Sequence, residues 1–177
     1  MVFPDRRGAA TLLLWFALAS PAAATERLDI QVGTKALPLL TNKMSGDVPM
    51  AVVYDPANAD SKTDAEGIKK NVDDGIDAPG GIKLSAMLVG VGELSKLSTA
   101  KIAFLTPGLS AHFDAIGAAA AGAGVLTIST DIECVKAGKC ILGVATKPSV
   151  TMYYSKAASE AAKITFSQAF TLLVKQP

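Results

Sequence analysis

Four short apolar segments, each closed by turn residues, most constrain what this chain can fold into. They read VPMAVVY at 48–54, IKLSAMLVGV at 82–91, KIAFLT at 101–106 and GVLTIS at 124–129. Short, continuous apolar runs of this kind are typical of strands that are buried on both faces. Strands that alternate with helices form a mainly parallel sheet with helices on both sides. The sequence therefore predicts a single three-layer α/β domain.

Helical periodicity occupies segments between and after these strands. From 59 to 72 the apolar residues recur three and four positions apart, as on the inner face of a helix, and we expect Asp60 or Ser61 to cap it. A second helix is expected to open at Ser110 and to run to Gly122. The remaining elements are the two strands of a hairpin and two final helices, at 141–145, 150–154, 155–162 and 167–174. The hairpin predicts an antiparallel end to the sheet.

The first 24 residues have the layout of a secretory signal. Arg6 and Arg7 precede an apolar run at 9–19, and Ala22 and Ala24 supply the small residues that a signal peptidase requires. The run is shorter than the roughly 20 residues that cross a bilayer, and no cysteine for lipid attachment follows it. We expect cleavage after Ala24, which leaves residues 25–177 as one α/β domain in the periplasm.

The charge balance of residues 25–177 excludes one class of partner. The whole chain has 17 basic and 16 acidic residues, and the first 24 residues hold two of the basic and one of the acidic ones, which leaves 15 of each. A neutral domain without a basic block lacks the electrostatic footprint of a nucleic-acid binder. We therefore expect no nucleic-acid partner.

The only two cysteines are Cys134 and Cys140, in the sequence CVKAGKC. In an exported protein, two cysteines this close are expected to form a disulfide, with Gly138 easing the turn that the small ring demands. Loop closure makes such a ring worth only about 2 kcal/mol, so a local structural role is expected. A redox switch is the alternative.

Polar residues follow three of the predicted strands at their carboxyl ends, where open parallel sheets bind ligands. They are Asp55, Thr106, Ser129, Thr130 and Asp131. Together they could hydrogen-bond a small polar ligand. The alternative interpretation is that they are turn and cap residues, which these residue types supply in any α/β fold.

The sequence contains no constellation that predicts catalysis or cofactor binding. His112 is the only histidine, and no G-x-S-x-G elbow, dinucleotide fingerprint or phosphate-binding loop is present. One histidine with two bonded cysteines cannot supply the three or four ligands of a zinc site. We therefore expect a non-enzymatic protein with no metal or cofactor. Tyr153 and Tyr154 are the candidate partner surface, because aromatic residues are enriched at interfaces.

Two resemblances extend over residues 25–177. The segments AVVYDPANADSKTDAEGIKK at 51–70, KIAFLTPGL at 101–109 and GVLTISTD at 124–131 resemble the periplasmic substrate-binding proteins of ABC transporters. In those proteins, similar loops surround a ligand cleft between two lobes. The length of this chain matches one lobe. The resemblance implies small-molecule binding without a second jaw.

The second resemblance is to the YfiR-type periplasmic proteins. It is carried by the strand pattern at 125–129 and 141–145 and by the ending YSKAASEAAKITFSQAFTLLVKQ at 154–176. The resemblance implies a single domain that binds the periplasmic part of a membrane diguanylate cyclase and holds it inactive, under the control of disulfides. Here Cys134 and Cys140 stand where many relatives have a plain glycine turn, so the redox control is not carried over.

The sequence thus predicts a regulator of the YfiR type whose partner is an inner-membrane signalling protein. The alternative is a one-lobed small-molecule binder that works with a transporter. A closed polar pocket at the rim of the sheet would favour the ligand, whereas an exposed apolar patch near the C-terminal helices would favour the protein partner.

Overall fold

The computed structural model describes residues 24–76 and 78–176, so all but the last residue of the expected secretory signal lies outside the described residues. The strands are β1 Gly46–Tyr54, β2 Ile82–Gly90, β3 Ile102–Leu105, β4 Leu126–Ser129, β5 Leu142–Ala145 and β6 Thr151–Tyr154. The α-helices are α1 Arg27–Thr34, α2 Ala59–Asp73, α3 Phe113–Ala123, α4 Ile132–Lys136, α5 Lys156–Ala161 and α6 Gln168–Thr171. Three 3₁₀ segments complete the order, at Leu37–Leu39, Val91–Thr99 and Ser110–His112.

The six strands form one sheet in the order β2-β1-β3-β4-β5-β6. The first five strands are parallel, and β6 runs antiparallel to β5. The predicted fold class is therefore confirmed: one mixed α/β domain with a mainly parallel sheet and a C-terminal antiparallel hairpin. Within the described residues, none of the helices has the length and apolarity that a membrane crossing requires.

The sheet carries a hydrophobic core on each face, and β1 contributes to both. Met50 and Val52 belong to the core beneath α1, α2, α5 and α6, whereas Ala51 and Val53 belong to the core beneath α3, α4 and the segment Val91–Thr99. All four side chains are at most 1% exposed. Because alternate residues of a strand point to opposite faces, burial on both faces explains why the strand sequence is apolar without interruption.

Three details of the predicted helices are corrected by the structure. The N-cap of α2 is Asn58, whose side chain accepts hydrogen bonds from the amides of Asp60 and Ser61 at 3.0 and 3.1 Å. The helix expected from Ser110 begins as a 3₁₀ turn and becomes α-helical only at Phe113. The last helix, α6, ends at Thr171.

The predicted disulfide between Cys134 and Cys140 is present, with a Cα–Cα distance of 5.3 Å. Both cysteines are fully buried. Gly138 turns the chain between them with φ of +69°, a conformation in the left-handed region that favours glycine. The bridge therefore closes the turn after α4 from within the core.

Replacing both Cys134 and Cys140 with alanine is expected to lower the free energy of unfolding by about 2 kcal/mol, because the loop they close is short. Denaturant titration of the parent and the double variant measures the loss. Since neither sulfur is accessible, a mild dithiol should reduce the folded protein only slowly. Rapid reduction under native conditions would contradict a purely structural role.

Candidate functional site

The strand order places a crevice at the carboxyl ends of β1 and β3. From β1 the chain moves to β2 on one side, and from β3 it moves to β4 on the other side. In open parallel sheets the point where the order reverses leaves a gap between the two outgoing loops, and ligands bind there. Asp55 and Pro56 follow β1 at this gap, and Pro107 and Gly108 follow β3.

Buried hydroxyls fix the floor of the crevice. The Thr106 hydroxyl donates to the carbonyl of Val53 at 3.1 Å and lies 2.7 Å from the hydroxyl oxygen of Ser61. The Ser61 hydroxyl in turn accepts the amide of Asp55 at 3.0 Å. Thr106 and Ser61 are each 1% exposed. This network ties the start of α2 to the ends of β1 and β3, and it leaves the Thr106 hydroxyl out of contact with solvent.

Asp55 and Ser129 also bond to their own loops. One carboxylate oxygen of Asp55 accepts the amide of Ala57 at 2.9 Å, and the other lies 3.7 Å from Nε2 of His112. The hydroxyl of Ser129, which is fully buried, accepts the amide of Asp131 at 3.0 Å. These two predicted ligand residues therefore serve as turn residues.

Thr130 and Asp131 line an open cavity of about 370 Å³, which is bordered by α1, the loop after β3 and the end of β5. One oxygen of Asp131 accepts the amide of Glu133 at 3.0 Å and so caps α4. Within the described residues the second carboxylate oxygen has no hydrogen-bond partner. Of the five predicted ligand residues, Thr130 and Asp131 line this cavity.

A second cavity of about 270 Å³ lies beside the first, over the start of α2. The same three residues line both cavities: Ala24, Pro107 and Gly108. The two spaces therefore meet at the loop after β3, and the segment that leads into α1 passes between them. We call the two cavities together the switch-point crevice.

Acidic groups dominate the charge of the switch-point crevice. Glu26, Asp29 and Asp131 line the first cavity, and Asp60 and Asp64 line the second. The one lysine that lines either cavity is Lys147, which bonds to the Glu26 carboxylate. That hydrogen bond to Glu26 is also the main reason why the pKa of Lys147 is raised. The crevice as a whole thus carries an excess of negative charge.

Asp29 and Asp64 are the two buried carboxylates of the crevice, at 7% and 8% exposure. Asp29 accepts the amide of Glu26 at 2.7 Å and the hydroxyl of Thr146 at 2.6 Å. Asp64 accepts the amide and the hydroxyl of Thr25 at 2.6 and 2.8 Å. Burial raises the pKa of Asp64, repulsion from Asp29 raises it further, and the bonds from Thr25 oppose both effects.

Sequence reasoning did not identify Asp29, Asp64 or Lys147 as site residues. Asp64 is one of several charged residues in a helix with a solvated face, and nothing in its immediate sequence distinguishes it. Asp29 and Thr146 are 117 positions apart, so their contact depends on the packing of α1 beside β5. One local pattern does predict a helix start here, namely acidic residues at positions 26 and 29. In the structure the amide of Glu26 donates to the carboxylate of Asp29.

The candidate partner surface at the end of the sheet is largely internal. Tyr154 is 7% exposed, and its ring packs edge-on against Phe166 and Phe170 at centroid distances of 5.6 Å. Tyr153 is half-buried on the opposite face. The chain around Lys175 pairs with β6 and covers its edge, since the Tyr154 amide donates to the Lys175 carbonyl at 2.9 Å.

A larger cavity of about 960 Å³ lies at the opposite edge of the sheet, where the strands begin. Its charged lining residues are Lys43, Asp47, Lys101 and Lys163. Within residues 24–76 and 78–176, no group of three or more metal-binding side chains comes together. His112 contacts the carboxylate of Asp55.

The switch-point crevice, by contrast, offers hydrogen-bonding and charged groups that are suited to holding a small polar molecule.

The fold is similar to part of several solved structures. One is the ABC domain from Streptococcus pneumoniae in complex with L-Trp, with a TM-score of 0.61 and 11% identity over 84% of this chain and 60% of that one. Another is a substrate-binding protein with adhesive properties from Clostridium difficile in its ligand-free, open structure, with a TM-score of 0.61 and 9% identity over 84% of this chain and 58% of that one. A conserved domain protein from Vibrio cholerae O1 biovar El Tor has a TM-score of 0.60 and 15% identity over 85% of this chain and 59% of that one.

These likenesses concern the fold alone, which this chain shares with part of each of these structures. The chain spans about 60% of the length of the structures that it matches. No family model matches the sequence, and no curated protein matches it either.

Proposed function

We propose that this chain is a non-enzymatic small-molecule-binding lobe that works in the periplasm after residues 1–24 have been removed. The observation that carries the proposal is the switch-point crevice: two adjoining cavities, lined by polar side chains, at the sheet edge where folds of this class bind ligands. The likeness to substrate-binding proteins supports it. The earlier alternative interpretation thus becomes the main one.

The charge of the crevice selects the class of ligand. Carboxylates outnumber the single lysine of its lining, and that lysine is already bonded to Glu26. A ligand with an ammonium group offsets this negative charge and can donate to the second oxygen of Asp131. An organic acid would instead meet repulsion. We therefore propose a small amine-bearing solute.

A lobe of this kind encloses its ligand from one side. The described residues form one lobe, which covers 58–60% of the length of the structures that it matches. With fewer contacts around the ligand, we expect a dissociation constant in the range of about 1 μM to 1 mM. A protein partner that covers the open side would increase the affinity.

We expect the ligand to raise the melting temperature of the parent protein, and we expect the Asp131→Asn variant to lose this increase. A ligand that binds only the native state stabilises it, by about 2.7 kcal/mol at one hundred times the dissociation constant, which raises the melting temperature by about 8 °C. Amines and amino acids, organic acids and sugars are tested on residues 25–177 by thermal-shift assay. An amine that stabilises the parent is expected to leave the Asp131→Asn variant unchanged.

The matched control is Glu133→Gln, which removes a carboxylate from the same short helix. Glu133 is exposed and does not line the crevice, so this variant should keep the full shift. Stabilisation by organic acids but not by amines, or an equal shift in both variants, would contradict the proposed ligand class and site.

A second function is favoured by one observation on the surface. Leu172 and Leu173 are 81% and 75% exposed, and they follow α6 close to where Lys175 pairs with β6. Exposed leucines at this position suit contact with a protein, and the YfiR-type ending at 154–176 includes them. In this alternative the domain binds an inner-membrane signalling protein. A pull-down from solubilised envelope tests it, because Leu172→Ser with Leu173→Ser should lose a partner that Asp131→Asn retains.

A further inference from the structure

The residue that follows the proposed cleavage site makes an unusual contact. The backbone nitrogen of Thr25 donates to one carboxylate oxygen of Asp64 at 2.6 Å, and the Thr25 hydroxyl donates to the other at 2.8 Å. Both residues are 8% exposed. The backbone amide and the hydroxyl of one residue thus bond to both oxygens of a buried carboxylate. That residue, Thr25, is where the mature chain is proposed to begin.

In the uncleaved chain the Asp64 carboxylate is poorly compensated. Among residues 24–76 and 78–176, no lysine, arginine or histidine forms an ion pair with it. Burial raises the pKa of Asp64, and Asp29 on α1 repels its carboxylate and raises the pKa further. A buried carboxylate without a cation is costly. The site therefore lacks a positive charge close to the Thr25 nitrogen.

Removal of residues 1–24 would supply that charge at the same atom. Hydrolysis of the peptide bond between Ala24 and Thr25 adds the hydroxyl of water to the Ala24 carbonyl carbon, which leaves as a carboxylate. The Thr25 nitrogen gains a proton from the same water and a second one from solvent, and becomes an α-ammonium, which is the main form below a pH of about 8. We infer that this α-ammonium forms a buried ion pair with Asp64 that holds α1 against α2. The inference rests on the cleavage site in the proposed function.

The same cleavage would also change the switch-point crevice. Ala24 lines both of its cavities, and it leaves with the signal. Without Ala24 between them, the two cavities can become one continuous space beside Pro107 and Gly108. The Thr25 ammonium then lies at its border and is paired with Asp64. Export processing thus completes the crevice at the moment when the protein reaches the compartment of its ligand.

The experiment compares chains that differ only at the N-terminus. One chain begins at Thr25 and the other at Ala24, and both are released from the same fusion protein. They carry equal net charge, but the Thr25 nitrogen is a terminal ammonium in the first chain and a peptide amide in the second. We expect the chain that begins at Thr25 to melt about 3–6 °C higher, as a difference of about 1–2 kcal/mol would produce. Asp64→Asn should remove this difference, whereas Glu66→Gln, which removes an exposed carboxylate from the same helix outside the crevice, should keep it.

Acetylation of the Thr25 α-amine provides a variant that keeps every side chain, in case Asp64→Asn does not fold. The acetylated chain is expected to melt like the chain that begins at Ala24. Equal melting temperatures for all three chains, or a difference that persists in Asp64→Asn, would overturn the ion pair. Sequencing the N-terminus of the exported protein tests the cleavage separately, because any first residue other than Thr25 overturns this inference and leaves ligand binding untouched.

Discussion

Replacing Phe104 with alanine is expected to lower the free energy of unfolding by about 3–5 kcal/mol, the range for a fully buried phenylalanine. Phe104 has no exposed surface and lies in the middle of β3. Its neighbours in register are Val52 on β1 and Ile128 on β4, both fully buried. The cavity left by its ring would therefore lie at the centre of the core beneath α1 and α2.

Denaturant titration of the Phe104→Ala variant measures this loss, and Leu172→Ala is its control. Leu172 is 81% exposed, so its truncation should change the free energy of unfolding by less than about 0.5 kcal/mol. Because β3 leads directly into Pro107 and Gly108, the Phe104 variant should also bind the proposed ligand less tightly. A loss below about 1 kcal/mol would show that the described core is wrong at its centre.

Replacing Gly143 with valine is expected to cost about 3 kcal/mol, because α4 packs directly onto the backbone of β5 at this residue. A Cβ atom there would lie 2.8 Å from Cγ2 of Val135 and 2.9 Å from Cδ1 of Ile132. The branched side chain must push α4 away from the sheet, and overpacking of this kind typically costs 1–3 kcal/mol. Since Asp131 caps α4, we also expect the ligand-induced shift to fall.

The matched control for Gly143 is the same change at Gly122. Gly122 lies in α3, and a Cβ atom there would meet no atom within 4 Å. Valine and glycine have similarly low helix propensities, so Gly122→Val should stay within about 0.5 kcal/mol of the parent. Equal stability of the Gly143 and Gly122 variants would contradict the close packing of α4 on β5.

The sheet could be predicted from the sequence because of how its strands are buried. Both faces of β1 and β3 lie in a hydrophobic core, so their residues form continuous apolar runs that end at turn residues. In β4 the apolar Leu126 and Ile128 alternate with the buried polar residues Thr127 and Ser129. The hairpin of β5 and β6 was predicted for a similar reason, with a proline-containing turn between two apolar segments. Burial on two faces is a property of consecutive residues, which sequence patterns record directly.

Two helices were missed because their buried faces are short or polar. Among the eight residues of α1, the buried ones include Asp29, Gly33 and Thr34, so no apolar periodicity indicates a helix. The helix α4 has five residues, of which Cys134 and Val135 are buried, and a single turn cannot establish a period. Tertiary packing, which a local pattern does not record, determines both.

The candidate site could be predicted only in part. Thr130 and Asp131 follow a strand, so their place at the edge of the sheet was evident from topology. Thr106 follows β3 and Ser129 ends β4, yet both hydroxyls are buried. The Thr106 hydroxyl bonds to Val53 and Ser61, and the Ser129 hydroxyl accepts the amide of Asp131. The buried carboxylates of the crevice are held by contacts between residues that are far apart in sequence. Thr25 and Asp64 are 39 positions apart, and Asp29 and Thr146 are 117 positions apart. Contacts at such separations exist only after α1 has packed.

The most direct test of ligand binding at the switch-point crevice is a backbone amide spectrum of residues 25–177, recorded by NMR during titration with an amine that stabilises the protein. We expect the amides of Gly108, Thr130 and Asp131 to shift progressively, while those of Lys101 and Gly124 at the opposite edge stay in place. Shifts confined to the opposite edge, or no shifts at saturating amine, would contradict it.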